Sequence, residues 1–323
     1  MIVERLGEQE TVLAADLGRT CALAARCQRD LQDCAAAYGE LFPARPFDSA
    51  FFASLSMVTA FGSPWASPGE LRAVGRASLW VFAVDRLVDQ VAGSRAEVEA
   101  LIAECMAAAE IGPAETGPAE TGPAETGPAE TGPAEAGPAG DASAVVRFLT
   151  DLRDELAAAP AFAALRHVWL DRLGRTLRGM AQEWRWKEEG APVSLDEYLD
   201  GADGCGSSFV NVSHWIATGD SWTLDNLDEL LTVSDEVQRY LRLLNDLATR
   251  ERERAQGDAN ALAFGAGVAE VTARMNDIRG RCLTLLGPVR AHSPRAAAYL
   301  ERQIGFNTGF YGLVDYWGEL ERA

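Results

Sequence analysis

The stretch RLLNDLATRERE, residues 242–253, decides the fold class and the chemistry expected of this chain. It ends a longer run, residues 227–253, in which apolar residues recur every three or four positions, as on one face of an α-helix. Asn, Asp and Thr are mediocre helix formers, because their side chains compete with the backbone for hydrogen bonds. Asn245, Thr249 and Glu253 nevertheless fall four residues apart, which places three oxygen-bearing side chains on one stripe. The stripe predicts a ligand bound through oxygen atoms.

A second polar stripe lies upstream in LWVFAVDRLVDQVAG, residues 79–93. Asp85 and Asp89 share one face of an otherwise apolar helix, where like charges repel unless a cation or an arginine lies between them. Arg86 or an arginine from elsewhere in the chain could form a structural ion pair there, although Arg86 projects about 100° away from Asp85 around the helix. Two acidic stripes in a helical bundle instead predict a site for Mg²⁺, an ion that commonly shares its ligands with substrate phosphates.

The composition narrows the possible functions. The chain has 323 residues, of which 48% are hydrophobic and 24% charged, as is ordinary for a soluble globular protein. The net charge of −19 argues against a nucleic-acid-binding protein, because such proteins neutralise phosphates with basic patches. No apolar run approaches the roughly 20 residues of a membrane span. The first residues, MIVERLGEQETVLAADLG, lack the apolar core of a signal peptide, so we expect a cytoplasmic protein.

Cysteines and histidines give no sign of a second metal site. The six cysteines are scattered without paired metal-ligand spacing and are expected to be free thiols. The three histidines follow no zinc-binding pattern and are interpreted as structural.

Helical periodicity extends over most of the chain and predicts an all-α protein with one domain, residues 1–323. The repeat GPAETGPAETGPAETGPAETGPAEAGPAG, residues 112–140, interrupts it. A proline every five residues forbids a continuous helix, and the composition cannot bury a core, so we expect a disordered surface loop. A tether for a partner protein is the alternative interpretation of this low-complexity insertion.

The two stripes resemble the metal motifs of class I terpene synthases, especially the bacterial diterpene cyclases. The motif (N/D)-D-x-x-(S/T)-x-x-x-E is matched at Asn245, Asp246, Thr249 and Glu253, and D-D-x-x-D is similar to DRLVD, residues 85–89. Three further stretches are similar in texture: GSPWASPGELRAVGRASLWVFAVD, APVSLDEYLDGADGCGSS and FNTGFYGLVDYW. The resemblance covers about residues 60–317, apart from the insertion.

This resemblance implies a single helical bundle in which three Mg²⁺ ions, with Mn²⁺ as a possible substitute, hold a prenyl diphosphate. Asp85 and Asp89 would serve one pair of ions, while Asn245, Thr249 and Glu253 would hold the third. Cleavage of the allylic C–O bond places charge on the departing diphosphate, which metal ions and arginines stabilise.

The resemblance also assigns residues to the diphosphate and to the helix break. Arg242, Arg252 and Tyr316 are expected to bind the diphosphate, and Gly206 corresponds to the glycine at which a helix breaks near the substrate. Three positions depart from the family pattern. Arg86 replaces an aspartate of the first motif, Ala202 stands where the diphosphate-sensing arginine is expected, and Asp315 replaces the arginine of a C-terminal Arg-Tyr pair.

The carbocation left by ionisation must be shielded from water, and aromatic faces stabilise its positive charge. Core packing remains the alternative role for every aromatic residue considered. The candidates for the cavity wall are Phe82, Trp184, Trp186, Phe209, Trp215, Phe306, Phe310 and Tyr311.

The segment SSFVNVSHWIATGD, residues 207–220, carries small polar side chains on an apolar helical stripe. Near such a cavity these groups could steer deprotonation or water addition. Alternatively, they are buried groups that cap a broken helix.

These patterns predict a Mg²⁺-dependent terpene cyclase. The expected substrate is a C20 diphosphate, either geranylgeranyl diphosphate or a bicyclic copalyl-type diphosphate, and the expected product is a diterpene hydrocarbon or alcohol. The alternatives are a sesquiterpene cyclase that uses farnesyl diphosphate and a degenerate relative that binds a prenyl diphosphate or a partner protein without turnover. A homodimer is common in the family and is possible here.

Overall fold

The computed structural model describes residues 2–111, 138–190, 193–316 and 318–319. The predicted all-α fold is confirmed, because the described residues form a bundle of helices with a single two-residue antiparallel ladder near the C-terminal end. No helix in the described part of the chain is both long and apolar enough to cross a membrane. The elements are α1 (Ile2–Ala37), α2 (Ser49–Gly62), α3 (Pro68–Arg86) with a π-helical turn (Leu87–Val91), α4 (Arg95–Glu110), α5 (Pro138–Ala157), α6 (Phe162–Glu189), α7 (Leu195–Asp200) with a 3₁₀ turn (Ala202–Cys205), α8 (Ser207–Thr218), α9 (Ser221–Asp225), α10 (Leu227–Gln256), α11 (Val268–His292), α12 (Pro294–Phe310), β1 (Val314–Asp315) and β2 (Gly318–Glu319).

Most of the predicted insertion, residues 112–137, lies outside the described residues. Its last three residues, Pro138 to Gly140, were expected in the loop but form the first turn of α5. The correction has a simple cause, since proline is favoured in the first turn of a helix, where its missing N–H has no intrahelical partner.

Helix α3, which carries the first acidic stripe, begins at a well-formed cap. The Ser67 hydroxyl accepts a hydrogen bond from the Glu70 backbone N–H, and the Glu70 carboxylate accepts one from the Ser67 N–H. Pro68 occupies the first helical position. This capping box fixes where the helix starts and therefore which of its residues face inward.

The hydrophobic core joins α3, α6 and α8 through stacked aromatic rings. Phe209 lies 5.7 Å from Trp80 and 5.3 Å from Trp169 between ring centroids, and all three side chains are fully buried. Each indole N–H has a partner, because Trp80 donates to the Val145 carbonyl and Trp169 to the Ser213 hydroxyl. The aromatic cluster thus holds together the helices that form one side of the cavity described below.

Two close approaches need glycine. Gly206 adopts a left-handed conformation, with φ of +71°, where the chain turns from the 3₁₀ segment into α8, and a Cβ there would lie 2.7 Å from Val81 Cγ1. Nearby, a Cβ on Gly179 of α6 would lie 2.4 Å from the Gly204 nitrogen. Glycine therefore lets the broken helix lie directly against α3 and α6.

Candidate active site

Helices α2, α3, α6, α8, α10 and α12 surround a cavity of about 250 Å³. Its charged end is lined by the carboxylates Asp85, Asp89, Glu183, Glu253 and Asp258, together with Asn245, Arg242 and Arg252. Its remote end is lined by apolar residues and by the polar residues Asn211, Tyr299 and Gln303. On α3, Val74 at the remote end and Asp89 at the charged end are separated by about 22 Å of helix, at 1.5 Å per residue.

The first acidic stripe lies where α3 changes its winding. Asp85 is in the last regular turn and Asp89 is in the π-helical turn, whose Ala92 N–H donates to the Leu87 carbonyl at 2.8 Å. Burial, the neighbouring Asp89 and Glu183 raise the pKa of Asp85 well above its ordinary value. Burial and Glu183 likewise raise the pKa of Asp89 to about 7. The lining of the charged end thus holds five acidic side chains and two arginines.

Three acids or bases of this region were missed by the sequence analysis. Glu183 and Lys187 lie one turn apart on α6, and Asp258 follows the end of α10. The Lys187 ammonium, which belongs to the chain's only lysine, lies 2.8 Å from Asp258 Oδ1 and 3.6 Å from Asp89 Oδ1. The four-residue spacing of Glu183 and Lys187 was visible in the sequence, but it did not indicate which helices they would face.

The second stripe lies across the cavity on α10. Asn245 and Glu253 line the cavity, while Thr249 is buried between them and donates its hydroxyl hydrogen to the Asn245 carbonyl at 2.7 Å. The Asn245 amide donates to the Tyr311 hydroxyl at 3.0 Å. The Asn260 amide donates to Glu253 Oε2 at 2.7 Å, and burial raises the pKa of Glu253. The structure therefore brings Asp85, Asp89, Asn245 and Glu253 to one end of the same cavity, whereas Thr249 does not line it.

Asp246, the second residue of the motif, faces away from the cavity wall. Its carboxylate accepts hydrogen bonds from the Tyr198 hydroxyl at 2.9 Å and from the Ala261 N–H at 3.3 Å. Burial raises its pKa to about 7. Asp246 thus ties α10 to α7 and to the segment that follows α10, so that Asn245 and Glu253 are held in place from behind.

Both predicted diphosphate-binding arginines line the charged end, and each contacts a carboxylate. Arg242 makes two hydrogen bonds of 2.9 Å to the Glu183 carboxylate. Arg252 lies 3.0 Å from Asp315, the acid at the position where the family resemblance implies an arginine. A diphosphate that bound either guanidinium would have to compete with these carboxylates or share the arginine with them.

The remaining predicted residues have mixed outcomes. Tyr316 lines the cavity, but its hydroxyl donates to Asn307 Oδ1 at 2.9 Å. Gly206 does lie at a helix break, as predicted. Ala202 is buried and does not line the cavity, so it offers no contact to a ligand there. Arg86 also lies outside the cavity wall, and its positive charge acts on Asp141 at the start of α5.

The prediction that eight aromatic residues line the cavity is wrong for six of them. Phe82 and Tyr311 line the cavity, but the other candidates pack elsewhere. Phe310, for example, stacks behind Tyr316 at 4.6 Å between centroids, and Trp186 packs against Tyr198 and Phe264. Helical periodicity marks a buried face but does not separate a packed core from a cavity wall. The six residues that do not line the cavity are Trp184, Trp186, Phe209, Trp215, Phe306 and Phe310.

The residues at the charged end fit divalent cations that are shared with a substrate. Carboxylates from α3 and its π-helical turn, α6 and α10 crowd one end of the cavity, and burial, followed by repulsion between them, raises the pKa values of Asp85 and Asp89. Among the described residues, no three acid, histidine or cysteine side chains converge into a closed metal cage. An open arrangement of this kind suits Mg²⁺, which usually keeps waters and phosphate oxygens among its ligands.

Comparison with known proteins agrees with this geometry. Residues 76–264, more than half of the chain, match the family described as terpene synthase family 2, C-terminal metal binding. The ent-pimara-9(11),15-diene synthase of Streptomyces sp. (strain KO-3988) is 27% identical over 298 residues, which are 90% of each chain.

Two solved structures share the fold. Linalool/nerolidol synthase from Streptomyces clavuligerus is 17% identical with a TM-score of 0.62, and the match covers 88% of this chain and 96% of that one. The 2-methylisoborneol synthase from Streptomyces coelicolor A3(2) is 15% identical with a TM-score of 0.63, and the match covers 90% and 91%.

The chain belongs to terpene synthase family 2. It is a class I terpene synthase, an enzyme class that binds a prenyl diphosphate and uses a divalent metal.

Proposed function

We propose that this enzyme ionises a C20 prenyl diphosphate, either geranylgeranyl diphosphate or a bicyclic copalyl-type diphosphate, and cyclises the resulting carbocation to a diterpene. The main support is the cavity itself, in which carboxylates from two facing helices lie at one end and an elongated, mostly apolar chamber extends beyond them. The relative named as an ent-pimara-9(11),15-diene synthase favours a C20 substrate.

The proposed metal ligands are Asp85, Asp89, Asn245, Thr249 and Glu253. A solved structure of the 2-methylisoborneol synthase contains Mg²⁺ and 2-fluoroneryl diphosphate, which favours the same pairing here. Bound metal would neutralise charge on the diphosphate as it leaves. Three ions, and the use of Mn²⁺ in place of Mg²⁺, remain predictions that a calorimetric titration with each metal would test.

The protein's own residues perform the other tasks. Arg242 and Arg252, which line the charged end, would bind diphosphate oxygens. The apolar residues Leu55, Val58 and Val74 would exclude bulk water from the chamber, which prolongs the life of the carbocation. Phe82 presents an aromatic side chain to the same space, where its ring face could stabilise a passing positive charge.

Three further expectations belong to this proposal. The chain is expected to fold as one domain, residues 1–323, and a deletion within the repeat should leave activity intact. Association into a homodimer would be tested by light scattering. A cytoplasmic location would be tested by cell fractionation.

The substrate class is tested by incubating purified protein with geranylgeranyl, copalyl, farnesyl and geranyl diphosphates, with and without Mg²⁺, and analysing extracts by gas chromatography–mass spectrometry. The proposal predicts a Mg²⁺-dependent C20 product with a higher kcat/KM than for the shorter substrates. A preference for farnesyl diphosphate would establish the sesquiterpene alternative. A protein that binds prenyl diphosphates with Mg²⁺ but releases no product would be a degenerate relative.

A further inference from the structure

Three neutral polar side chains meet at the remote end of the cavity. Asn211 of α8 accepts two hydrogen bonds at its Oδ1 atom, one from the Tyr299 hydroxyl at 2.8 Å and one from the Gln303 amide at 2.7 Å. The three residues, which we call the amide cluster, line the cavity and are 1%, 5% and 8% exposed, respectively. Tyr299 and Gln303 lie on α12 about 18 and 12 Å before Tyr311, which contacts the charged end.

A chain of hydrogen bonds fixes the orientation of the Asn211 amide. Asp235 forms an ion pair with Arg172, and an ionised carboxylate can only accept hydrogen bonds. The Ser208 hydroxyl donates to Asp235 at 3.3 Å, so it accepts from Ser234 at 3.1 Å. Ser234 in turn accepts from the Asn211 Nδ2 atom at 2.8 Å. The oxygen of Asn211 must therefore face Tyr299 and Gln303.

The directions of these hydrogen bonds also determine which atoms of the amide cluster remain able to bind a ligand. Because Gln303 uses its Nε2 atom as a donor to Asn211, its Oε1 atom points elsewhere. This oxygen makes no hydrogen bond to any described residue and is not sealed inside the protein. The Tyr299 hydroxyl, which donates to Asn211, also keeps lone pairs that can accept. The remote end thus offers hydrogen-bond acceptors inside a largely apolar chamber.

A hydrogen-bond acceptor that is buried in such a chamber is stable only when a hydrogen-bond donor pairs with it. Leaving one buried acceptor unpaired costs about 1–3 kcal/mol, and a hydrocarbon chain has no hydrogen to donate. A water molecule has two hydrogens, and once it donates them to Gln303 and Tyr299 its oxygen lone pairs face the substrate. A water molecule held in this way would be oriented as a nucleophile.

We propose that the amide cluster holds a water molecule that adds to the final carbocation, so that the enzyme releases a terpene alcohol. The proposal rests on the function proposed above. A C–O bond forms between the water oxygen and the cationic carbon, and the resulting oxonium loses a proton. That proton ends on inorganic diphosphate, the base released by ionisation. One prenyl diphosphate and one water thus give one alcohol and one protonated diphosphate.

Deprotonation to an alkene is the competing outcome, and the remote end is poorly equipped for it. Amides and a phenol that is itself a hydrogen-bond donor are weak bases. His214 stacks behind Tyr299 at 3.7 Å between ring centroids and bonds to Ser63, but it does not line the cavity. Burial lowers the pKa of His214 to about 3, which makes it a poor proton acceptor.

The test is to run the reaction in water enriched in the heavy oxygen isotope and to analyse both organic products and inorganic diphosphate. The wild-type enzyme is expected to give an alcohol that carries the heavy oxygen. Release of diphosphate together with alkenes alone would overturn the proposal but leave the proposed function intact. If no prenyl diphosphate is consumed, the proposed function fails, and the water site fails with it.

Two variants test whether the amide cluster holds the water molecule. Gln303→Met removes the acceptor at similar length and should lower the ratio of alcohol to alkene about tenfold, the effect of one lost hydrogen bond. Tyr299→Phe keeps the stack on His214 and should lower that ratio less. Ser78→Ala is the control, because Ser78 also lines the cavity but donates to the Val74 carbonyl. An unchanged ratio in both variants would show that the water is held elsewhere.

Discussion

The two ends of the cavity differ in the kind of polar side chain that lines them. At the charged end, ionised side chains are paired with one another, as Arg242 is with Glu183 and Lys187 with Asp258. At the remote end the groups are neutral, and the direction of each hydrogen bond is set by a chain that begins at Asp235. In the proposed function, the charged end binds the diphosphate through metal ions and arginines, and the remote end acts on the carbocation after the diphosphate has left.

The comparison predicts that ionisation depends on the charged end alone. Asn245→Ala should lower turnover at least about 1,000-fold, because a proposed metal ligand is lost where charge develops on the leaving group. Glu251→Ala on the same helix is the control, since Glu251 is exposed and pairs with Arg254. Steady-state kinetics with saturating Mg²⁺ measure the effect. Activity within tenfold of the wild type in Asn245→Ala would remove that residue from the metal site.

The ion pair between Glu183 and Arg242 should matter for folding as well as for binding. Glu183→Gln leaves the buried guanidinium with Asp246, 3.5 Å from its Nε atom, as its remaining carboxylate partner, and should lower the free energy of unfolding by about 1.5–3 kcal/mol. Urea denaturation without metal measures this loss. Glu236→Gln is the matched control, because Glu236 pairs with the more exposed Arg239 and Arg281 and should cost at most about 1 kcal/mol. Equal losses in the two variants would contradict the role assigned to Glu183.

The excess of carboxylates should make stability depend on pH. Burial raises the pKa of Asp89 and of Asp246 to about 7, from an ordinary value of 3.8. Between these pH values the folded protein keeps protons that the unfolded chain has lost, so metal-free stability should fall as pH rises from about 4 to 7. Thermal unfolding at several pH values tests this expectation.

Two comparisons sharpen the pH experiment. Asp89→Asn removes one of these groups and should flatten the decline. Added Mg²⁺ should stabilise more at higher pH, because it binds deprotonated carboxylates. Metal-free stability that rises over the same range would contradict the assignment of excess negative charge to this end.

The smallest effect is expected at Arg86. Its charge acts on Asp141 rather than on the cavity, so Arg86→Met should change the Mg²⁺ concentration for half-maximal activity by less than about twofold. Steady-state kinetics at a series of Mg²⁺ concentrations measure this half-maximal concentration. A larger change would mean that the replaced aspartate of the first motif still influences the metal site.

The sequence predicted the charged end better than the remote end, for a physical reason. Asp85 and Asp89 are four residues apart and Asn245 and Glu253 are eight apart in continuous helical segments, so helical spacing was enough to place each pair on one face. Glu183 and Asp258 reach the same site from other parts of the chain, and no local pattern connects them to it. The broken-helix segment suggested polar groups near the cavity, and Asn211 lines it, but its partners Tyr299 and Gln303 lie about 90 residues further on, on α12.

The fold itself was predictable because helical periodicity runs through nearly the whole chain. The cavity wall was not, since it is the space left between helices. Phe82 and Phe209 occupy similar apolar stripes, yet the first faces the cavity and the second fills the core between Trp80 and Trp169. Which face meets another helix depends on packing that a single stretch of sequence does not record.

The central claim, that ionisation at the charged end is separate from termination at the remote end, is tested most directly by measuring inorganic diphosphate release. The wild type, Asp85→Asn and Gln303→Met would be compared with geranylgeranyl or copalyl diphosphate, with and without Mg²⁺. The account predicts release that requires Mg²⁺ and Asp85 but persists in Gln303→Met. Release that is independent of Mg²⁺ or retained in Asp85→Asn, or that is lost equally in Gln303→Met, would contradict it.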